Sequence, residues 1–445
     1  PYRNSYRKCA DSTCGLETMR AMLNINPDHL IEHLQTLTDS SAKVSADSRQ
    51  IRSGDIFFAY PVGHGNGLRD GRQFIDAALE AGAACVVFDP QDSANRYARY
   101  SEHPKCIAIE NLAKIAGKLC SDWYGNPSKQ LKMIGVTGTN GKTSVTQWLA
   151  KALDAPSHRT AVLGTLGTGF LGALEKTGYT TPDAPKLQTQ LKELLVAGAN
   201  QVAMEVSSHA LDQDRVAGTV FECAVFTNLT QDHLDYHGSM ASYAQAKAKL
   251  FAQAGLQHAV INLDDAFGRE LAMNLLAKDK LKVWAYALNK NAFQGFEKFG
   301  NRLQRIYALD ISLSHSGYDS TFVLDGVGQV DLNIPLLGEF NISNALAVWA
   351  ALLTQGFSIA EAGNRISQLQ PVVGRMELIS FSKHAKAAGL LAVVDYAHTP
   401  DALQKTLKAL RPIAEQRGGK IWCVFGCGGD RDIGKRSQMG TVAQQ

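Results

Sequence analysis

The sequence predicts an α/β protein of about three domains, the middle one built to hold a nucleotide. Three observations carry this. Residues 131–153, LKMIGVTGTNGKTSVTQWLAKAL, run from a short apolar stretch into a Gly- and Thr-rich loop and out again with helical spacing. A chain of 445 residues has the length of about three domains. Residues before and after this stretch carry strand and helix patterns of their own, with a polar Gly, Asn, Pro and Ser stretch at 123–130 that reads as a linker.

In the central stretch Leu131, Met133, Ile134 and Val136 suit a buried strand, and Val145, Trp148, Leu149 and Ala152 recur as one face of a helix does. Between them lie Gly138, Thr139, Asn140, Gly141, Lys142, Thr143 and Ser144. Backbone N–H groups of such a loop and the N-terminus of the following helix cradle phosphate oxygens; Lys142 can reach the terminal phosphates, and the Thr143 hydroxyl can bind Mg²⁺. The common phosphate loop has a Gly five positions before Gly141, where this chain has Val136. A solvated Gly-Lys turn is the plain alternative.

Composition narrows the class. A net charge of +3 with no block of Lys or Arg gives no argument for nucleic acid. No apolar run reaches the ~18 residues of a membrane span, and the opening PYRNSYRKCADSTC lacks the apolar core of a signal peptide. A cytoplasmic protein with no membrane partner is expected. The eight Cys are scattered without C-x-x-C spacing and read as reduced, mostly structural thiols. The chain opens on Pro1 and trails off at MGTVAQQ inside a helical pattern, as a fragment would at both ends.

Residues 1–125 form an α/β unit. Ser45, Asp47, Ser48 and Arg49 make a polar turn before a strand on Ile56, Phe57 and Phe58; a Gly-rich loop, an amphipathic helix and a strand at 84–88 follow. Beyond the phosphate helix, Gly164, Gly167 and Gly169 run in the wrong order for a dinucleotide fingerprint, which leaves a loop or hairpin with no nicotinamide site. Thr180 and Thr181 precede a Pro; their hydroxyls suit a phosphate or sugar, or a helix cap.

Two strands then end in polar groups. QVAMEVSSHAL closes on Glu205, with Ser207, Ser208 and His209 after it; a carboxylate at the C-terminal end of a strand is well placed for the Mg²⁺ of a neighbouring nucleotide, or is merely solvated. The strand at 224–227 leads to Asp232, His233, Asp235 and His237, whose spacing favours Mg²⁺ chemistry over zinc. In the next helix Met240, Tyr243, Lys247, Leu250 and Ala254 fall on one stripe widened by Phe251, and Lys249 falls off it. The residues leave two readings of Lys247 open. Its ammonium snorkels to water, or burial keeps it a neutral amine able to add CO₂ and become a carbamate ligand for Mg²⁺.

Asn341 and Asn344 stand at the start of a helix, and Arg375 in a Gly-Arg turn. A βαβ unit then begins: strand LLAVVDYAH, a helix from Pro400 to about residue 414, strand KIWCVFGCGG and the charged loop GDRDIGKR.

GVTGTNGKTS, YTTPDAP, EVSSHAL, TNLTQDHLDYHG with Lys247, NISNAL, GRMEL, VDYAHTPDAL and GCGGDRDIGKR, in this order, resemble the Mur ligases over nearly the whole chain. The displaced glycine of the phosphate loop is what this family shows. The resemblance implies a three-domain architecture: residues 1–125 for the UDP end of the substrate, a central phosphate-loop ATPase at 126–372, and a Rossmann-like ligase domain at 373–445, truncated here. It implies an ATP-dependent amide ligase of peptidoglycan synthesis that makes an acyl phosphate on a UDP-N-acetylmuramoyl-dipeptide and captures it with a diamino acid; a monomer is expected. It places one Mg²⁺ between Thr143 and Glu205 and a second between His233 and carbamylated Lys247, Asn344 near adenine, Arg375 near the phosphates, and Asp395 and His398 reaching in from the third domain. Thr180, Thr181, Ser207, Gln213 and Arg215 would hold the nucleotide-peptide, and Ser48 its uridine end.

The amine is expected to be meso-diaminopimelate. The loop at 426–436 follows the last strand and carries Arg431, Lys435 and Arg436; a far carboxylate wants a cationic partner such as Arg431, whereas L-lysine would be repelled. The loop also resembles that of the diaminopimelate-adding members. The alternatives are an L-lysine-adding ligase and a nucleotide-binding fragment without synthetase activity.

Overall fold

The computed structural model describes residues 27–63, 68–278, 281–314, 317–379, 390–426 and 434–444. The chain divides into two compact units: residues 1–127 with 182–193 and 213–219, and the remainder.

The first unit is built on a parallel sheet in the order Val44–Ser45, Ile56–Ala59, Cys85–Phe88, Cys106–Ala108. Side chains alternate across a strand. Ile56, Phe58, Cys85 and Val87 therefore meet Leu30 and Leu34 of helix Pro27–Leu37 and Leu112, Ala116 and Leu119 of helix Leu112–Trp123 on one face. Phe57, Ala59, Val86 and Phe88 pack on Ile75, Ala78, Tyr97 and Tyr100 on the other. Both faces are covered, as a parallel sheet requires. The expected linker at 123–130 is largely helical instead. Trp123 closes its helix and donates its indole N–H to Ala42 O at 3.1 Å, and Pro127 opens a short helix, Pro127–Gln130, at the position where its missing N–H costs nothing.

The second unit holds an eleven-stranded sheet. Its parallel middle runs Thr160–Gly164, Gln201–Glu205, Lys132–Thr137, Cys223–Phe226, His258–Asn262, Lys282–Ala287, Leu303–Ser314. Antiparallel strands finish both edges: Gly167–Phe170 and Ala173–Glu175 on one, Gly317–Leu324 and Gly328–Ile334 on the other. The three glycines at 164–169 thus turn a hairpin, as expected. Strand Lys132–Thr137 sits where the strand order reverses, so a crevice opens beyond its C-terminal end. Helices Lys142–Leu153 and Glu339–Thr354 share one core with the sheet; the second is apolar nearly all round and is buried accordingly.

Near the C-terminus, Glu377–Ile379 pairs antiparallel with Ala392–Val394, and helix Pro400–Gln416 is capped by the Thr399 hydroxyl, which accepts from Ala402 N at 3.2 Å. The strand expected at KIWCVF is not formed: residues 420–426 pair with no strand among the described residues, and Trp422 and Val424 are 88% and 99% exposed. The β-prone pattern is present, but a strand persists only with a neighbour for its backbone groups and a surface for its side chains. The expected βαβ unit is accordingly not closed among the described residues. Cys85, Cys106, Cys120, Cys223 and Cys423 are free thiols, and no described helix is long and apolar enough to cross a membrane.

Candidate functional site

The phosphate loop leaves strand Lys132–Thr137 at Gly138 and enters helix Lys142–Leu153 at Gly141. Val136, where the common pattern has Gly, is a buried strand residue. The glycines are needed two residues later. A Cβ on Gly138 would lie 1.9 Å from Thr227 Oγ1, and one on Gly141, at φ 87°, would lie 2.5 Å from Asn344 Oδ1.

The loop is stitched to the end of the adjacent strand. Thr139 N donates to Asn228 O at 2.8 Å and Asn140 N to Asn228 Oδ1 at 2.9 Å. Asn140 O accepts from Thr227 Oγ1 at 2.6 Å and Asn228 Nδ2 at 3.0 Å. Lys142 folds back over the loop and donates to Gly138 O and Thr139 O, each at 2.9 Å. Burial pulls its ammonium below the ordinary lysine range; Arg375 acts in the same direction, while Glu205 and Asp232 oppose it.

Behind Lys142 lies an oxygen cluster. Thr143 Oγ1 donates to Glu205 Oε2 at 3.1 Å, and Glu205 Oε1 accepts from Thr165 N at 2.8 Å. The carboxylate has room because Gly164 lacks a side chain: a Cβ there would lie 2.4 Å from Glu205 Oε1. Arg375 donates to Thr143 Oγ1 at 3.0 Å, with its guanidinium 4.5 Å from the Tyr396 ring centre.

A second cluster surrounds Asp232, which is buried. His233 Nε2 and His398 Nε2 lie 3.4 and 3.9 Å from its Oδ2, and Lys435 of helix Gly434–Gln444 bonds its Oδ1. Burial alone would raise the Asp232 carboxyl, but its neighbours His233, Lys435 and His398 together outweigh it and hold it below its ordinary value. Burial lowers His233 to about 4 against the pull of Asp232, so its imidazole is neutral at pH 7.

Lys247 is 1% exposed, on the buried stripe of helix Met240–Ala248, while Lys249 pairs with Asp212 at 3.2 Å on the surface. Ala254 lies past the helix end and is exposed, so the stripe stops short of it. The Lys247 ammonium lies 4.3 Å from the Tyr243 ring centre, and no carboxylate reaches it among the described residues. Burial, with Lys142 adding to it, pulls its pKa well below the lysine range, and Asp232 and Asp265 recover only part. Snorkelling does not occur.

Thr180 and Thr181 divide. Thr181 is buried and joins two backbones, donating to Glu205 O at 2.8 Å and accepting from Ser207 N at 3.0 Å. Thr180 lines the cleft beside Thr165, their hydroxyls 3.0 Å apart. Ser207 Oγ accepts from Ala210 N at 3.2 Å, a helix-start bond. Asp395 accepts from Met376 N and Ala397 N, each at 2.8 Å, fixing the turn that carries Arg375. Lys142, Thr143, Glu205, His233, Asn344, Arg375, Asp395 and His398 all line one cleft of about 1150 Å³ in the second unit. Ser48, Gln213 and Arg215 belong to the first unit, where Arg215 Nε donates to Gln213 Oε1 at 2.9 Å. Arg431 lies outside the described residues. Sequence reasoning placed Asp232 in a loop suited to Mg²⁺ without giving it a role of its own, and read Tyr243 only as part of a helical stripe.

Residues 136–352 match the Mur ligase middle domain, and residues 374–445 the Mur ligase, glutamate ligase domain. The chain is 46% identical over 419 residues to the UDP-N-acetylmuramoyl-L-alanyl-D-glutamate--2,6-diaminopimelate ligase of Ralstonia nicotianae, covering 94% of this chain and 78% of that one. This chain belongs to the Mur ligase family. A Mur ligase of the same name from Pseudomonas aeruginosa is also 46% identical, over 91% of this chain and 77% of its own. Among solved Mur ligases, a UDP-N-acetylmuramoyl-L-alanyl-D-glutamate--2,6-diaminopimelate ligase superposes with a TM-score of 0.68 at 34% identity, covering 90% of this chain and 76% of that one. MurF from Thermotoga maritima, solved in complex with ADP, shares the fold at a TM-score of 0.55 and 19% identity, over 83% of this chain and 75% of its own. The resemblance read from eight motifs is thereby borne out.

Proposed function

We propose that this Mur ligase joins meso-diaminopimelate to UDP-N-acetylmuramoyl-L-alanyl-D-glutamate at the expense of ATP. One observation carries it: the 46% identity with a ligase of that name, spanning 94% of the chain. In the reaction, the terminal carboxylate of the dipeptide attacks the γ-phosphorus, a P–O bond forms, and ADP leaves. The amine of the diamino acid then attacks the acyl carbon, loses a proton, and phosphate departs with the electrons of the C–O bond.

Two anions have to be brought together, so cations and positioning dominate. Lys142 exchanges its loop carbonyls for the transferring phosphoryl group, and Arg375 assists from beside Thr143. Gly138, Thr139, Asn140, Gly141 and Ser144 cradle the phosphates, and Asn344, packed on Gly141, lies by the adenine. Asp395 and His398 approach from the C-terminal segment. Residues 1–125 receive the UDP end, with Ser48 at the uridine and Thr180, Thr181, Ser207, Gln213 and Arg215 along the nucleotide-peptide. Residues 126–372 hold ATP, and 373–445 form the ligase domain, where Arg431 takes the far carboxylate of the amine.

The donors present suit Mg²⁺. Thr143 and Glu205 present a hydroxyl and a carboxylate 3.1 Å apart, both hard oxygen ligands. His233 offers a neutral imidazole, and Lys247, kept from its charged form by burial, can add CO₂ through its free amine and release a proton to become a carbamate with hard oxygens. When bound, the metal supplies charge neutralisation on the phosphates.

The test is an assay of ADP release and tripeptide formation with ATP, the UDP-linked dipeptide and either meso-diaminopimelate or L-lysine. Product with meso-diaminopimelate and at least about tenfold lower kcat/KM with L-lysine, about 1.4 kcal/mol of discrimination, is expected. Equal use of L-lysine would reject the amine assignment, and no amine-dependent ADP release would reject the ligase.

A further inference from the structure

Tyr243 touches both halves of the site. It is fully buried, one helical turn before Lys247, whose ammonium lies 4.3 Å from the ring centre. Its hydroxyl is 3.1 Å from Thr139 Oγ1 in the phosphate loop. The direction of that bond follows from counting. Thr139 Oγ1 donates to Thr230 O at 3.1 Å and accepts from Thr230 N at 3.0 Å, so its one proton is already placed and its remaining capacity is a lone pair. Tyr243 is therefore the donor in this bond. The ring is held from a further side: His237 stacks on it at 5.0 Å between centres and 30° between planes, and His237 Nε2 is 2.9 Å from Ser208 Oγ.

We infer that Tyr243 is a positioning residue that ties Lys247 to the phosphate loop, its ring fixing where the lysine amine stands and its hydroxyl fixing Thr139. This rests on Lys247 being the carbamylated ligand proposed above. The two functions reside in different parts of one side chain, so two substitutions separate them. Tyr243→Phe keeps the ring and leaves the Thr139 lone pair unpaired in a buried place. Tyr243→Leu removes the ring as well.

The experiment uses the 445-residue chain with ¹³C-bicarbonate, reading the lysine carbamate by ¹³C NMR, ATP affinity by calorimetry without the other substrates, and turnover separately. Tyr243→Phe should weaken ATP binding about three- to tenfold and keep the carbamate resonance. Tyr243→Leu should lose that resonance and cut kcat on the order of 10²-fold, more than its change in ATP affinity. A structural role alone would lower the melting temperature of both variants without this split. Unchanged ATP affinity in Tyr243→Phe, or a retained carbamate in Tyr243→Leu, overturns the inference; if Tyr243→Leu does not fold, the Tyr243→Phe affinity decides alone. Absence of the carbamate in the unsubstituted chain overturns the Lys247 assignment itself, a result separable from the Tyr243→Phe affinity.

Discussion

Glu205 accepts a hydrogen bond from the Thr143 hydroxyl at 3.1 Å although 62 residues separate them in the chain. Neighbouring parallel strands cause this: Lys132–Thr137 feeds the loop that ends in Thr143, and Gln201–Glu205 pairs with it in register, Glu205 opposite Val136. The other carboxylate contacts are also donors, from Thr165 N and Thr165 Oγ1. Glu205→Gln should therefore cost twice, removing the charge and turning an amide N–H₂ toward a donor. Ligase kcat should fall on the order of 10²-fold or more, with the Mg²⁺ concentration for half-maximal rate moving upward. Steady-state ADP release across a Mg²⁺ titration measures both, and unaltered Mg²⁺ dependence would remove Glu205 from the metal site.

Gly138 tests why the loop departs from the common pattern. A methyl there would meet Thr227 Oγ1 at 1.9 Å, and that hydroxyl holds Asn140 O at 2.6 Å. Gly138→Ala should break the stitch between loop and strand, lower the thermal midpoint by several degrees, and weaken ATP binding at least tenfold. Val136→Gly, which restores the glycine of the common pattern, should not improve ATP binding, because residue 136 lies in the strand core. Calorimetric ATP binding to both variants checks the pair.

The phosphate loop, the strand-end Glu205 and the buried Lys247 were legible because each is a local signal: a strand-loop-helix pattern, an apolar run ending in a carboxylate, and a cation on an apolar stripe. The particular parts that Asp232 and Tyr243 play were not. Their roles depend on who arrives from elsewhere, Lys435 and His398 for the one and Thr139 for the other, and spacing along one helix does not reveal a partner about a hundred or more residues away. Thr180 and Thr181 look alike as adjacent hydroxyls, yet only the fold turns Thr181 into a bridge between backbones. KIWCVF failed in the opposite sense: its β pattern is strong, but among the described residues no strand lies beside it to complete the pairing.

Lys142 stands in the second unit, whereas Ser48, Gln213 and Arg215 stand in the first. Lys142→Ala should lower phosphoryl transfer about 10³-fold and leave the affinity for UDP within about twofold. Among the described residues its Nζ donates only to the carbonyls of Gly138 and Thr139, so the substitution takes a donor from the phosphate loop and leaves the bonds of the first unit in place. Loss of UDP affinity together with turnover, measured by calorimetry and ADP release, would contradict the separation of the two sites.

Lys247 separates function from stability. An amine whose pKa is lower folded than unfolded binds fewer protons in the folded state, so stability rises with pH between the two values and the cost of burial is in full force below the folded one. Lys247→Met keeps the length and apolar stem of the side chain and removes that cost. In metal-free buffer purged of CO₂, its thermal midpoint at pH 7 should therefore exceed that of the unsubstituted chain by a few degrees, with the gap narrowing as pH rises toward the ordinary lysine range. Ligase activity should vanish, and added bicarbonate should not restore it, since the substituted side chain has no amine to carbamylate. Lys249→Met is the control: Lys249 is 46% exposed and pairs with Asp212 at the surface, so its loss should change activity less than about threefold and stability little. A stabilised, inactive Lys247→Met beside a near-normal Lys249→Met identifies a residue held in an unfavourable place for its chemistry. The reverse ranking would assign the metal-site lysine to position 249.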